Sequence, residues 1–107
     1  MKLQRRFSDQ QLTKIIDEAT IYMCACPAQV AEQIVRLRGL VRYQEDCDSQ
    51  RDTDSVVHQS IAKASLQALQ IMEDCLDELL DLEGWDRTTM TMPEGLRIRR
   101  DSMVDKD

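Results

Sequence analysis

The sequence predicts an all-α protein, a three-helix antiparallel up-down-up bundle followed by a short C-terminal tail that is irregular or forms a hairpin. Apolar residues recur at spacings of three and four along three segments, which is the helical period. Aromatic residues are scarce, with one Phe, two Tyr and one Trp. A core of Leu, Ile, Val, Met and Ala favours helices over sheets. We assign residues 1–85 to the bundle domain and residues 86–107 to the tail.

The first helix is expected from about Ser8 to Cys24, and its start is the best-marked boundary in the chain. Ser8 and Gln11 have the spacing of a capping box, and Phe7 and Leu12 have the spacing of a hydrophobic staple. The apolar face of this helix contains Leu12, Ile15, Ile16, Ala19, Tyr22 and Met23.

The second helix is expected to start at Pro27, which suits a first helical turn, with Cys26 as its cap and a sharp corner at Ala25. Its end is expected between Gln44 and Cys47. Its apolar stripe contains Val30, Ile34, Leu37 and Val41, widened by Ala31, Val35 and Leu40. The solvent side is expected to hold Glu32, Arg36, Arg38 and Arg42.

A polar run over residues 44–54 separates the second helix from a long third helix that ends near Glu83. Gly84 is expected to take the left-handed conformation of a helix terminus, with Trp85 folding back on Leu80 in a Schellman motif. A heptad of apolar positions runs along this helix: Val57, Ile61, Ala64, Ala68, Ile71, Cys75 and Leu82. Leu69, Met72, Leu76, Leu79 and Leu80 widen the apolar surface in its second half.

The tail alternates apolar and polar residues on both sides of Pro93, a pattern that fits a small hairpin. The apolar members are Met90, Met92, Leu96 and Ile98. A loose tail is the alternative, because an isolated hairpin is marginal in water.

Charge and hydropathy argue against nucleic acid and membrane as partners. The net charge is -6, whereas binding to a phosphate backbone needs a clustered basic surface. The longest uncharged stretch, residues 19–31, has 13 residues, too few to span a bilayer. Because the N-terminal segment lacks the apolar part of a secretion signal, we expect a cytoplasmic protein. The acids of the third helix, expected on a solvated face, are Glu73, Asp74, Asp77, Glu78, Asp81 and Glu83.

The cysteines carry the sharpest chemical hypothesis. In an up-down-up bundle, Cys24 and Cys26 lie at the corner between the first two helices and Cys75 returns to the same end, while Cys47 lies at the other. Three thiolates could bind zinc or copper, although the fourth ligand of a closed zinc site is missing. Without metal, Cys26 at a helix N-terminus could be redox-active. Cysteine is among the residue types most often buried, so packing of these side chains in the core is the simpler interpretation.

The function expected from the sequence is a non-enzymatic, homo-oligomeric protein interaction or regulatory module without a cofactor. The thiol site of Cys24, Cys26 and Cys75 is the alternative. The only histidine, His58, has no nucleophile or carboxylate fixed beside it, so no catalytic site is indicated. A homodimer is expected through the second half of the third helix, with the tail as the competing cover. The residues of that predicted surface are Ile71, Met72, Cys75, Leu76, Leu79, Leu80 and Leu82.

Overall fold

A computed structural model describes three parts of the chain, residues 6–21, 25–48 and 55–93. They contain three helices: α1 (Asp9–Ile21), α2 (Ala25–Asp48) and α3 (Ser55–Glu83). Because α2 packs against both of the others, it is the central element of the bundle. The predicted three-helix fold is therefore confirmed.

Contacts between helix ends fix the up-down-up direction of the chain. At the start of α1, Asp9 pairs with Arg38 in the second half of α2 at 2.9 Å. Near the end of α1, Glu18 accepts a hydrogen bond from the backbone N–H of Met92, which follows α3. The end of α2 contacts the start of α3. The helix α1 therefore runs beside the second half of α3, with α2 antiparallel to both.

The start of α1 has the predicted cap. The Ser8 backbone N–H donates to Gln11 Oε1 at 2.9 Å, and the Gln11 backbone N–H donates to Ser8 Oγ at 3.0 Å. Phe7 and Leu12 are both buried, as a hydrophobic staple requires. Capping and apolar packing thus position the N-terminal segment together.

The start of α2 differs from the expected one. Cys26 is the second residue of the helix instead of its cap, because α2 begins at Ala25. Pro27 still lies in the first turn, where its missing N–H removes no intrahelical hydrogen bond. The corner expected at Ala25 and the first part of the polar run expected as a connection are both helical, because α2 extends from Ala25 to Asp48. Residues 22–24 and 49–54 lie outside the described residues.

The end of α3 is the predicted Schellman motif. Gly84 has a φ of 73°, and its N–H donates to the Asp81 carbonyl at 3.1 Å. The Trp85 N–H donates to the Leu80 carbonyl at 2.9 Å, and both side chains are buried. These bonds satisfy carbonyls that the helix leaves without partners.

Two methionines of the described part of the predicted tail pack in the bundle core. Asp86 and Thr91 form an isolated antiparallel bridge that closes a tight turn, in which Met90 has a φ of 55°. Met90 and Met92 are buried in the same cluster as the helices. The predicted hairpin around Pro93 extends to residues 94–98, which lie outside the described residues.

The length of α1 determines where the bundle has three helices. With 13 residues, α1 is about 20 Å long, whereas the 29 residues of α3 extend about 43 Å. The molecule measures 59 × 27 × 18 Å. Since α1 begins beside the middle of α3, the first half of α3 has only α2 beside it among the described helices.

Candidate interaction surface

The helix α3 has two parallel stripes of residues, and only one of them faces the bundle. The buried stripe contains Ala62, Ser65, Leu69, Glu73, Leu76 and Leu80. The second stripe is the apolar heptad found in the sequence: Val57, Ile61, Ala64, Ala68, Ile71, Cys75 and Leu82. We call this second set the open stripe. Most of its members precede a buried residue by one position, a rotation of about 100° on an α-helix.

Most of the open stripe is exposed although every member is apolar. Ile71 is 67% exposed, Leu82 is 75% exposed and Val57 is 57% exposed. Ala64 is exposed as well, while Ala68 and Cys75 are half-buried. The stripe therefore forms a continuous apolar surface along most of α3.

The buried side of α3 faces α2 and the residues before α1. Glu73 accepts a hydrogen bond from the Arg6 backbone N–H at 3.1 Å and one from Arg38 at 2.8 Å. Ile71 precedes Glu73 by two residues, so the two side chains leave α3 about 200° apart. The open stripe thus lies away from α1.

The helix α2 adds apolar residues beside the open stripe. Val30 and Gln33 line a groove with Met72 of α3. Leu40 lies two turns beyond Gln33 on the same face of α2, and Tyr43 lies one turn further. Leu40 is 39% exposed and Tyr43 is 63% exposed. The apolar surface therefore extends from α3 onto the neighbouring edge of α2.

The dimer surface predicted from the sequence is only partly available. Leu76 and Leu80 are completely buried within the chain, so their inclusion was wrong. Trp85, Met90 and Met92 belong to the same core cluster, so the beginning of the tail covers this part of the bundle. Met72 and Leu79 are half-buried. Ile71, Cys75 and Leu82, the remaining predicted residues, belong to the open stripe.

A buried ion pair connects the helices on the covered side. Arg38 is 1% exposed and was wrongly expected on the solvent side of α2. Its guanidinium donates to Glu73 Oε1 at 2.8 Å, to Asp9 Oδ1 at 2.9 Å and to the Phe7 carbonyl at 2.5 Å. Glu73 is also buried, in contrast to the solvated face expected for it. One arginine of α2 therefore binds α3, α1 and the segment before α1.

A second arginine fastens the turn after α3. Arg87 bonds Asp77 at 2.5 Å and Asp81 at 3.0 Å, and its guanidinium lies 5.6 Å from the centre of the Phe7 ring. The hydrogen bond from Arg87, together with the arginine's charge, holds the pKa of Asp77 below its ordinary value of 3.8. These contacts involve Phe7 and two acids of α3 and no residue of the open stripe.

The two described cysteines lie on different helices at a similar level along the bundle. Cys26 is exposed in the first turn of α2, and Cys75 is half-buried on the open stripe. Val30 and Met72 line one groove, and in these antiparallel helices Cys26 lies four residues before Val30 and Cys75 three residues after Met72. Among the described residues, no group of three or more His, Cys, Asp or Glu side chains could hold a metal ion.

Two of the four cysteines lie where no side chain is described. Cys24 lies outside the described residues, as does the side chain of Cys47. The metal site of Cys24, Cys26 and Cys75 therefore stays a prediction, as does the separation of Cys47 from them.

The single histidine has a structural partner. His58 Nδ1 lies 2.6 Å from Gln44 Oε1 at the point where α2 ends and α3 begins. Its side chain is half-buried. This contact fits the ordinary role expected for His58 from the sequence.

The fold and the surface define a class, an antiparallel three-helix bundle with one apolar side of its longest helix open. No protein family matches the sequence, and neither the curated proteins nor the solved structures compared with it match. None of the helices described is both long and apolar enough to cross a membrane.

Proposed function

We propose that this protein is a non-enzymatic interaction module that binds a helical protein surface through the open stripe of α3. The observation that carries the proposal is the uninterrupted run of apolar side chains from Val57 to Ala68 and on to Cys75. Soluble monomers rarely expose contiguous apolar patches of this kind, and such patches commonly mark interaction sites.

The spacing of the open stripe supports a helix as the bound element. Apolar residues alternate at intervals of four and three along about 37 Å of α3, from Val57 to Leu82. This is the pattern that packs against another helix through knobs and holes. Ala64 and Ala68 in the middle would allow the two backbones to approach closely. Glu78 is the one charged residue that occupies a position of this heptad.

The test is whether the stripe contributes to association or to the folding of the chain itself. Ile71→Glu places a charge on the open stripe, and Gln70→Glu places the same charge on an exposed neighbouring position outside it. Measured by urea unfolding at high dilution, both variants should retain the wild-type free energy of unfolding within about 0.5 kcal/mol. A loss of several kcal/mol for Ile71→Glu alone would mean that the chain covers this stripe itself and would refute the proposal.

A thiol-based metal or redox function through Cys24, Cys26 and Cys75 is the second candidate. The observation in its favour is that Cys26 is exposed in the first turn of α2. An exposed thiol in this position is accessible to an oxidant or a metal ion. Zinc and copper content after purification without chelator tests this candidate directly.

A further inference from the structure

We propose that the helix bound by the open stripe is the open stripe of a second copy of this chain, running antiparallel. This inference rests on the proposed function and names its partner. In the resulting dimer, α3 of each copy packs against α3 of the other about a two-fold axis. The face of α2 that carries Leu40 and Tyr43 lies at the rim.

The order of large and small residues along the stripe is complementary to itself in this direction. When the stripe is reversed about its middle, Ala68 lies opposite Ile71 of the second copy and Ala64 lies opposite Cys75 of the second copy. Val57 then meets Leu82 of the second copy at each end. A small residue faces a larger one at the centre, which allows close approach of the helices without overlapping side chains.

Charge favours the antiparallel direction over the parallel one. Between residues 55 and 70, Lys63 is the only Asp, Glu, Lys or Arg residue, whereas residues 71–83 contain six acids and no base. A parallel pair would place two acidic halves side by side, and like charges at helix interfaces repel. The antiparallel pair instead places the acidic half of each copy beside the half of the second copy that holds Lys63 and no acid.

The available surface is large enough for a specific dimer. A strip about 37 Å long and about 20 Å wide, the width of α3 plus the exposed edge of α2, has an area of roughly 700 Å² per copy. Standard interfaces bury about 800 Å² per partner. The surface is therefore large enough for a reversible homodimer.

Sedimentation equilibrium of the full chain at micromolar concentrations tests whether the partner is a second copy, because it measures the mass of the species in solution. The wild type should approach twice the chain mass of 12.4 kDa. Ala68→Glu places two carboxylates in the middle of the dimer and should raise its dissociation constant by at least about 100-fold. Gln70→Glu, the matched control outside the stripe, should dimerise like the wild type, and both variants should keep the wild-type helical circular dichroism.

A charge placed at Ile61 tests the direction. Ile61 and Glu78 are 17 positions apart on α3, about 26 Å, so they do not meet within one chain. In the antiparallel dimer position 61 lies opposite Glu78 of the second copy, so Ile61→Lys should dimerise several-fold more tightly than Ile61→Glu. In a parallel dimer position 61 would lie beside its own copy, so both variants would weaken the dimer alike, and the proposed direction would be wrong.

The experiments distinguish an error about the partner from an error about the interaction surface. A monomeric wild type whose Ile71→Glu variant keeps its stability would overturn the second copy as partner and leave the open stripe as a surface for another protein. A monomeric wild type whose Ile71→Glu variant loses several kcal/mol would overturn both proposals, because the stripe would then be internal to the chain.

Discussion

The buried pair of Arg38 and Glu73 makes a quantitative prediction about stability. Glu73→Leu leaves the guanidinium of Arg38, which is 1% exposed, with only the Phe7 carbonyl and Asp9 as acceptors. Arg38→Met leaves the carboxylate of Glu73 with the Arg6 backbone N–H as its donor. Because a buried charge that loses its partner is poorly solvated, each variant should lose about 3–5 kcal/mol of unfolding free energy.

The double variant distinguishes pairing from simple packing. Arg38→Met/Glu73→Leu removes both charges and keeps apolar volume, so its loss should be smaller than the sum of the single losses by about 2–3 kcal/mol. Arg36→Met, at an exposed position of the same helix, is the matched control and should change stability by less than about 0.5 kcal/mol. Urea unfolding at neutral pH followed by circular dichroism measures all four. Additive losses would refute the view that the pair acts as a unit.

Three further predictions concern backbone conformation, acid stability and thiol chemistry. Gly84→Ala should lower the unfolding free energy by about 1 kcal/mol, because φ is 73° there, whereas Gly39→Ala, in the open interior of α2, should raise it by a similar amount. Equal effects of the two substitutions in urea unfolding would contradict the Schellman end of α3. Because the pKa of Asp77 is lowered mainly by its hydrogen bond with Arg87, the pair stabilises the fold above about pH 3.8 and loses this contribution as pH falls below it. The stability lost in Asp77→Asn should therefore shrink in acid, and a constant loss from neutral to acidic pH would argue against this linkage. Cys26→Ser should leave thermal stability nearly unchanged, since Cys26 is exposed. The same substitution should remove any metal content or oxidant response that depends on this thiol. Unchanged metal content would exclude Cys26 as a ligand.

The parts of the fold that sequence predicted best are those specified by neighbouring residues. The cap at Ser8 and Gln11 and the terminus at Gly84 depend on side chains and backbone within a few positions of each other. The number and order of the helices follow from three periodic segments with short connections. In each of these cases the determining interaction lies within one or two helical turns.

The buried ion pair could not be found in this way, because its members are 35 residues apart. A charged residue on a helix is most often exposed, so Arg38 was assigned to solvent together with Arg36 and Arg42. One signal was available in retrospect. Arg38 lies four residues after Ile34 and three before Val41, the spacing of the buried face of α2.

The orientation of α3 shows a limit of apolar patterning. The sequence has two neighbouring stripes on α3, and only the more apolar of them follows a regular heptad. The buried stripe instead contains Ser65, whose hydroxyl donates to the Ile61 carbonyl at 2.7 Å, and Glu73, which pairs with Arg38. Because local hydrogen bonds and a distant partner satisfy these two polar groups, the stripe that contains them can be buried and the wholly apolar one left open.

The measurement that tests the proposed interaction surface most directly is a comparison of backbone ¹H–¹⁵N spectra of the full chain at low and high concentration. We expect concentration-dependent shifts along the open stripe, strongest around Ala64, Ala68 and Ile71, and little change in α1. Shifts concentrated on α1, or spectra that do not change while the mass stays that of one chain, would contradict self-association through α3.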